Sequence, residues 1–245
     1  MPRQKLGQHF LADQSVLRRI AAAACEKGEP VLVEIGPGKG ALTEYLLDRA
    51  MHVAAVELDR ELAAELTVRF PSVEVVQEDA LLVDLNRWAG APVVGNLPYY
   101  VATPIISRVV RLRRPAVFLI QKEVAERIVA VPGTKAYGYY SIEIQFFAEP
   151  ALLFTVKPGS FRPPPQVDSA VIRLVPKARS ILLEAEADAF LGFVSKAFRQ
   201  KRKTLRNNLA PFYGREWTDA QPESGERAET LSMEQFAGLF RRLVP

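Results

Sequence analysis

Between Val31 and Gln121, short apolar runs alternate with amphipathic stretches. The runs are Val31-Leu-Val-Glu-Ile35, Val53-Ala-Ala-Val-Glu57, Val73-Glu-Val-Val76, Val93-Val94 and Ala116-Val-Phe-Leu-Ile120. Each is too short for a helix and rich in branched residues, as buried parallel strands are. The segments 41–50, 60–70 and 103–113 between them read as helices, the last with Thr103 as N-cap and Pro104 at the first helical position. Strand–helix alternation of this kind implies a doubly wound α/β sheet, whose ligands lie beyond the carboxyl ends of the strands.

The pattern changes further along. Leu152–Val156 and Ser169–Val175 read as two later strands, a hairpin at the sheet edge, flanking the proline-rich loop Phe161-Arg-Pro-Pro-Pro-Gln-Val-Asp168. Past Pro176 the strand signal stops. Residues 181–210 and 231–243 read as helices, separated by a polar, mobile-looking stretch around Asp219–Glu229. The expected organisation is an α/β domain over residues 1–177 followed by a small helical domain over 178–245.

Composition narrows the chemistry. With 245 residues and 49% apolar side chains, the chain is ample for a buried core. One cysteine, Cys25, excludes an intrachain disulfide, and with two histidines it cannot form a Cys/His zinc site, so no metal is expected. No apolar run approaches the roughly 20 residues of a membrane helix, and the first residues lack a signal-peptide core. A soluble cytoplasmic protein with no membrane partner is the expectation. The net charge of +4 is mild, so clustering matters more than the total.

The segment Glu34-Ile-Gly-Pro-Gly-Lys-Gly40 follows the first strand and precedes a helix. Gly36-x-Gly38-x-x-Ala41 also satisfies the dinucleotide fingerprint, so the loop alone admits an NAD oxidoreductase. Glu34 argues otherwise: a carboxylate there repels a pyrophosphate and attracts a cationic amino group. Pro37 and Lys39 stiffen the loop. S-adenosylmethionine, with an ammonium and a sulfonium, fits better than NAD. Glu57 ends the second strand about 20 residues on, where a carboxylate can take both ribose hydroxyls. Asp79-Ala80 ends the third, where a carboxylate or an amide can read the adenine edge.

The fourth strand ends in Gly95-Asn-Leu-Pro-Tyr99. The lone pair of an exocyclic base amine is delocalised into the ring, so the nitrogen is a poor nucleophile. Acceptors holding both N–H bonds pull it toward a pyramid and free the lone pair. The Asn96 side-chain oxygen and the Leu97 carbonyl can be those acceptors. Pro98 stiffens the turn, and Tyr99 offers a face on which an extruded base can stack. Two basic clusters follow this turn in sequence: Arg108, Arg111, Arg113 and Arg114, and then Lys196, Arg199, Lys201, Arg202, Lys203 and Arg206. Such clusters neutralise phosphates without reading sequence.

Asn96-Leu-Pro-Tyr99 together with Glu34-Ile-Gly-Pro-Gly-x-Gly40 resembles the ribosomal RNA adenine N6-dimethyltransferase family. Gly7-Gln-His-Phe-Leu11, Leu119-Ile-Gln-Lys-Glu123, Lys135-Ala-Tyr-Gly138 and Phe161-Arg-Pro-Pro-Pro-Gln-Val-Asp-Ser169 agree with it along nearly the whole chain. The basic run Phe198–Leu209 and the tail Leu231–Phe236 resemble the form that modifies small-subunit rRNA. The resemblance implies a Rossmann-like class I methyltransferase domain plus a small helical domain. It implies S-adenosyl-L-methionine near His9, Leu11, Gly36, Glu57, Asp79 and Asn96, and a base site formed by Asn96, Leu97, Pro98, Tyr99 and Phe161. It further implies double dimethylation of two adjacent adenosines in the 3′-terminal hairpin loop of 16S rRNA, within the small ribosomal subunit or its precursor. His9 replaces the commoner Asn, which bears on donor affinity, and Tyr100 stands where some members carry Asn. No longer basic arm is expected ahead of the Gln-His-Phe-Leu motif. The rivals are a large-subunit rRNA methyltransferase of the antibiotic-resistance kind, a non-catalytic ribosome-assembly factor and an NAD oxidoreductase.

Overall fold

A computed structural model describes residues 9–25 and 28–243; Gly7 and Gln8 of the N-terminal motif lie outside the described residues. The strands are β1 (Phe10–Leu11), β2 (Val31–Ile35), β3 (His52–Glu57), β4 (Glu74–Gln77), β5 (Val93–Asn96), β6 (Ala116–Gln121), β7 (Ala148–Val156), β8 (Phe161–Arg162) and β9 (Ser169–Pro176). The α-helices are α1 (Gln14–Ala24), α2 (Thr43–Leu47), α3 (Arg60–Arg69), α4 (Ala102–Arg111), α5 (Lys122–Val129), α6 (Tyr139–Phe147), α7 (Ala187–Ala197), α8 (Leu205–Tyr213), α9 (Arg215–Asp219) and α10 (Met233–Leu243).

The chain divides into two compact units, one comprising the residues through Ala125 together with Ala148–Pro176, the other Glu126–Phe147 with Lys177 onward. In the first, the strand order is β4-β3-β2-β5-β6-β9-β7. β2 through β6 run parallel, and β9 pairs antiparallel with both β6 and β7. This is the doubly wound α/β sheet, closed by an edge hairpin. The order reverses between β2 and β5, which opens a crevice at their carboxyl ends. Gly95 lets the two strands approach there: a Cβ on it would stand 2.4 Å from the Ile35 carbonyl oxygen. The apolar runs are continuous because both faces are covered; Leu32, Val33, Val93, Val94 and Phe118 are fully buried.

Several local expectations change. α4 starts at Ala102 behind Val101, so Thr103 is not its cap. Pro104 fits inside the first turn because backbone N–H groups there have no intrahelical acceptor to lose. The helix expected over 41–50 is confined to Thr43–Leu47. The helix expected over 181–210 is split into α7 and α8. Asn208 accounts for the break: its Nδ2 donates to the carbonyls of Ala197 (2.7 Å) and Gln200 (3.2 Å), closing α7 before α8 begins. The stretch expected to be mobile holds two 3₁₀ turns, Pro222–Gly225 and Ala228–Thr230.

The second unit also gathers residues 126–147, which the boundary near 177 assigned to the first domain. Aromatic packing explains this. Phe146 of α6 lies 5.4 Å from Phe190 of α7, and Phe190 lies 5.7 Å from Phe240 of α10, ring centroid to centroid. The Tyr137 hydroxyl donates to the Leu231 carbonyl at 3.0 Å. These partners are distant in sequence and apolar, so no local signal marked them.

Candidate methyltransferase site

One cavity in the first unit opens where β2, β3 and β5 end. His9, Leu11, Gly36, Glu57, Asn96, Leu97, Pro98 and Tyr99 all line it, together with Phe10, Glu34 and Lys39. The loop after β2 shapes one wall. Gly38 has φ +59, and a Cβ on it would meet Phe10 at 3.0 Å, so only glycine fits this turn without displacing that ring. Its N–H donates to Glu57 Oε2 at 3.0 Å, while Oε1 accepts the Asp59 N–H at 2.9 Å. A carboxylate offers about four acceptor positions, so Glu57 keeps capacity for a pair of hydroxyls.

Glu34 is 1% exposed and accepts a hydrogen bond from Thr43 Oγ1 at 2.6 Å. Burial pushes its carboxyl up to about 8, against the lowering effect of Thr43, with Glu57 adding repulsion. Nothing cationic among the described residues pairs with it. A buried acid with this environment fits a ligand ammonium, and the cavity residues therefore fit S-adenosylmethionine.

The raised value has a consequence for stability. Between pH 4.5 and 8 the folded chain holds a proton that the unfolded chain has released. The stabilisation is full below pH 4.5 and is lost as pH rises through 8. The slope is at most about 1.4 kcal/mol per pH unit. Thermal melts of the ligand-free protein across this window should show it as a falling difference between wild type and Glu34→Gln. A pH-independent difference would refute the assignment, and saturating donor should reduce the slope by favouring the ionised acid.

The Asn96–Tyr99 turn is fixed from several sides. The Leu97 N–H donates to the Leu119 carbonyl at 3.1 Å, stapling the turn to β6, and the Val101 N–H closes it on Pro98 at 3.1 Å. Asn96 Nδ2 donates to the His9 carbonyl at 3.1 Å, which leaves Oδ1 as the accepting end. His9 Nδ1 donates to the Pro163 carbonyl at 2.9 Å. The His9 and Tyr99 ring centroids are 5.8 Å apart. The Tyr99 hydroxyl lies 2.8 Å from Ser169 Oγ. Burial raises the Tyr99 phenol above its ordinary value, outweighing the lowering effect of Ser169, so the ring stays neutral.

Two expected site residues stand elsewhere. Asp79 does not line the cavity; its carboxylate accepts the Leu81 N–H at 2.8 Å and its carbonyl the N–H groups of Leu82 and Val83, both at 2.9 Å. One oxygen of its side chain is held in that turn. Phe161 is 1% exposed and packs in the core, its backbone paired with Leu11 across β1 and β8. The apolar lining from Leu17 and Leu42 carried no sequence signal, because such side chains look like any core residue.

The first basic cluster is corrected in part. Arg114 is 3% exposed and donates to the carbonyls of Leu85, Trp88 and Ala91. Arg108 donates to those of Ala80 and Val83. Both guanidinium groups satisfy the backbone of residues 80–91, which otherwise lacks ladder partners, and Arg114 is buried away from any phosphate. In the second unit, Lys196 Nζ donates to the Tyr213 hydroxyl at 2.9 Å, and Arg206 stands 3.7 Å from Asp219. Lys201 Nζ donates to the Lys135 carbonyl at 2.9 Å and lies 3.8 Å from Glu229. Arg202 and Lys203 are exposed. No group of three His, Cys, Asp or Glu residues among the described residues could hold a metal ion, and none of the described helices is long and apolar enough to cross a membrane.

Known proteins resemble this chain over nearly its full length. The small-subunit rRNA methyltransferase A of Chlorobium luteolum is 43% identical over 249 residues, 99% of this chain and 90% of its own length. That of Acidithiobacillus ferrooxidans is 43% identical over 256 residues, covering 100% of this chain and 96% of its own. The crystal structure of a dimethyladenosine transferase from Plasmodium falciparum matches at TM-score 0.80 and 26% identity, over 96% of this chain and 98% of that one. That of the 23S rRNA methyltransferase ErmE matches at TM-score 0.75 and 28% identity, over 96% and 100%. A family model described as ribosomal RNA adenine dimethylase matches residues 2–244. With the Asn-Leu-Pro-Tyr turn and the glycine loop facing one cavity, and with that match spanning nearly every residue, the chain belongs to the ribosomal RNA adenine dimethylase family.

Proposed function

We propose that the chain transfers methyl groups from S-adenosyl-L-methionine to N6 of two adjacent adenosines in the 3′-terminal hairpin loop of 16S rRNA, acting on the small subunit or its precursor. The observation that carries this reading is the Asn96 carboxamide. Its nitrogen is held on the His9 carbonyl, which leaves its oxygen as the accepting end, and Asn96 lines the same cavity as Glu57 and Gly38. The small-subunit assignment is supported by the named function of relatives at 43% identity over nearly the full length.

The donor supplies an electrophilic methyl group. Glu57 holds hydroxyls while its bonds to Gly38 and Asp59 keep it oriented, and Glu34 offers its carboxyl to the donor's ammonium. Asn96 Oδ1 and the Leu97 carbonyl accept the two hydrogens of the target amine. Tyr99 carries the base on its ring face. Positioning supplies most of the acceleration, since no covalent nucleophile from the chain is required.

The test is methyl transfer from labelled donor to immature small subunits and, in parallel, to large-subunit RNA, followed by mapping of the modified nucleotides. Label in the small-subunit 3′ hairpin is the expected result. Label confined to large-subunit RNA would favour the second reading, a large-subunit methyltransferase, which the fit to ErmE keeps open. Absence of transfer would favour an assembly factor without catalysis.

RNA is expected to meet the exposed cations of the second unit. Replacing Lys201, Arg202 and Lys203 together by alanine should weaken substrate binding. The salt dependence should flatten by about 0.7–0.9 log units of slope for each phosphate no longer neutralised, with donor affinity unchanged. Because Lys201 is already tied to the Lys135 carbonyl and near Glu229, Arg202 and Lys203 should account for most of the change. An unaltered slope would make the cluster a solvated face.

A further inference from the structure

The base-binding turn is anchored by a residue outside the cavity. Ser169 is fully buried at the start of β9, and its Oγ stands 2.8 Å from the Tyr99 hydroxyl, 70 residues earlier in the chain. Its backbone is fixed on both sides: its Cα pairs with Gln121 of β6 and with Val156 of β7. The preceding residue is pinned as well. The Asp168 carbonyl accepts the Lys122 N–H at 3.0 Å, and its carboxylate accepts from Lys157 Nζ at 2.7 Å. The Ser169 hydroxyl therefore projects from a rigid element, whereas Tyr99 projects from a turn and is half-buried.

We propose that Ser169 is a positioning residue for the target base, holding the Tyr99 ring by its hydroxyl so that the ring face is presented to the extruded adenine. The inference rests on the reading that Tyr99 carries the base. A stacking face works only if it is held before the base arrives. An unanchored ring would have to lose rotamer freedom at each binding event. The bond also links the Asn-Leu-Pro-Tyr turn to the strand that follows the proline-rich loop. Tyr99→Phe keeps the ring face and loses this anchor.

The test is a double-mutant cycle of Ser169→Ala and Tyr99→Phe, read by single-turnover methylation of small subunits at saturating donor. Each single variant should slow turnover by about 3- to 10-fold, the scale of one neutral hydrogen bond. The double variant should be no slower than the slower single one. RNA affinity, dominated by phosphates, and donor affinity should not move. Independent, multiplying losses would overturn the proposal, as would wild-type turnover in Tyr99→Phe. The latter decides the matter even if Ser169→Ala does not fold. A second readout needs no substrate: the 19F resonance of 3-fluorotyrosine placed at position 99 must shift in Ser169→Ala. An unmoved resonance would overturn the proposal, whereas failure of the wild type to methylate small subunits would instead sink the functional reading.

Discussion

Asn96→Ala should slow the methyl-transfer step by about 100- to 1000-fold. Removing one transition-state hydrogen bond from a water-poor site costs roughly 2.7–4 kcal/mol. The bond from the target amine to Asn96 Oδ1 strengthens as the nitrogen pyramidalises, so its loss appears in the chemical rate more than in the apparent Michaelis constant. The structure makes the variant informative. The carboxamide nitrogen already has a partner in the His9 carbonyl at 3.1 Å, so the oxygen is the end that the reaction can use. Asn96→Asp keeps an acceptor but sets a carboxylate oxygen against that carbonyl. It should therefore recover only part of the rate. Single-turnover methylation with saturating donor, alongside separate donor titration, is the measurement. Near-normal turnover by Asn96→Ala would sink the mechanism.

Glu57→Ala should weaken S-adenosylmethionine binding by roughly 1–3 kcal/mol, the scale for losing charged hydrogen bonds. Two losses combine. The donor loses a carboxylate for its hydroxyls, and the glycine loop loses the acceptor that holds the Gly38 N–H at 3.0 Å. The second loss predicts that Glu57→Gln is intermediate, since an amide keeps one acceptor oxygen for either Gly38 or Asp59 but not for both. Calorimetric titration of donor into the three proteins measures this, with a thermal melt to show that the sheet survives. Unchanged donor affinity in Glu57→Ala would remove this residue from the site.

Local pattern carried the α/β unit because its central strands β2, β3, β5 and β6 are buried on both faces, so each appears as a largely apolar run readable one segment at a time. Glu34, Glu57 and Asn96 were legible for a related reason. In a parallel sheet, a polar residue at the carboxyl end of a buried strand has the ligand crevice in front of it. Asp79 stands at the same kind of position, yet it does not line the cavity, and one oxygen of its side chain accepts the N–H of Leu81 two residues on. No pattern in the sequence distinguishes that outcome from a ligand contact.

What only the tertiary structure decided depends on partners far apart in the chain. His9 orients Asn96 across 87 residues, and Ser169 holds Tyr99 across 70. Arg114 reads as one more cation in a basic run, yet it is buried on backbone carbonyls 23 to 29 residues earlier. Phe161 belongs to a motif resembling a base site, yet its ring packs in the core beside Leu11. Residues 126–147 join the second unit through Phe146 and Tyr137, whose partners lie beyond residue 180. The sequence by itself determined the strand order's raw material, the glycine loop and the base-binding turn, because these are local in chain and chemistry. Which polar groups are spent on the fold and which remain for a ligand was decided only by packing, since a hydrogen-bonding group is used up by whichever partner folding brings within about 3 Å.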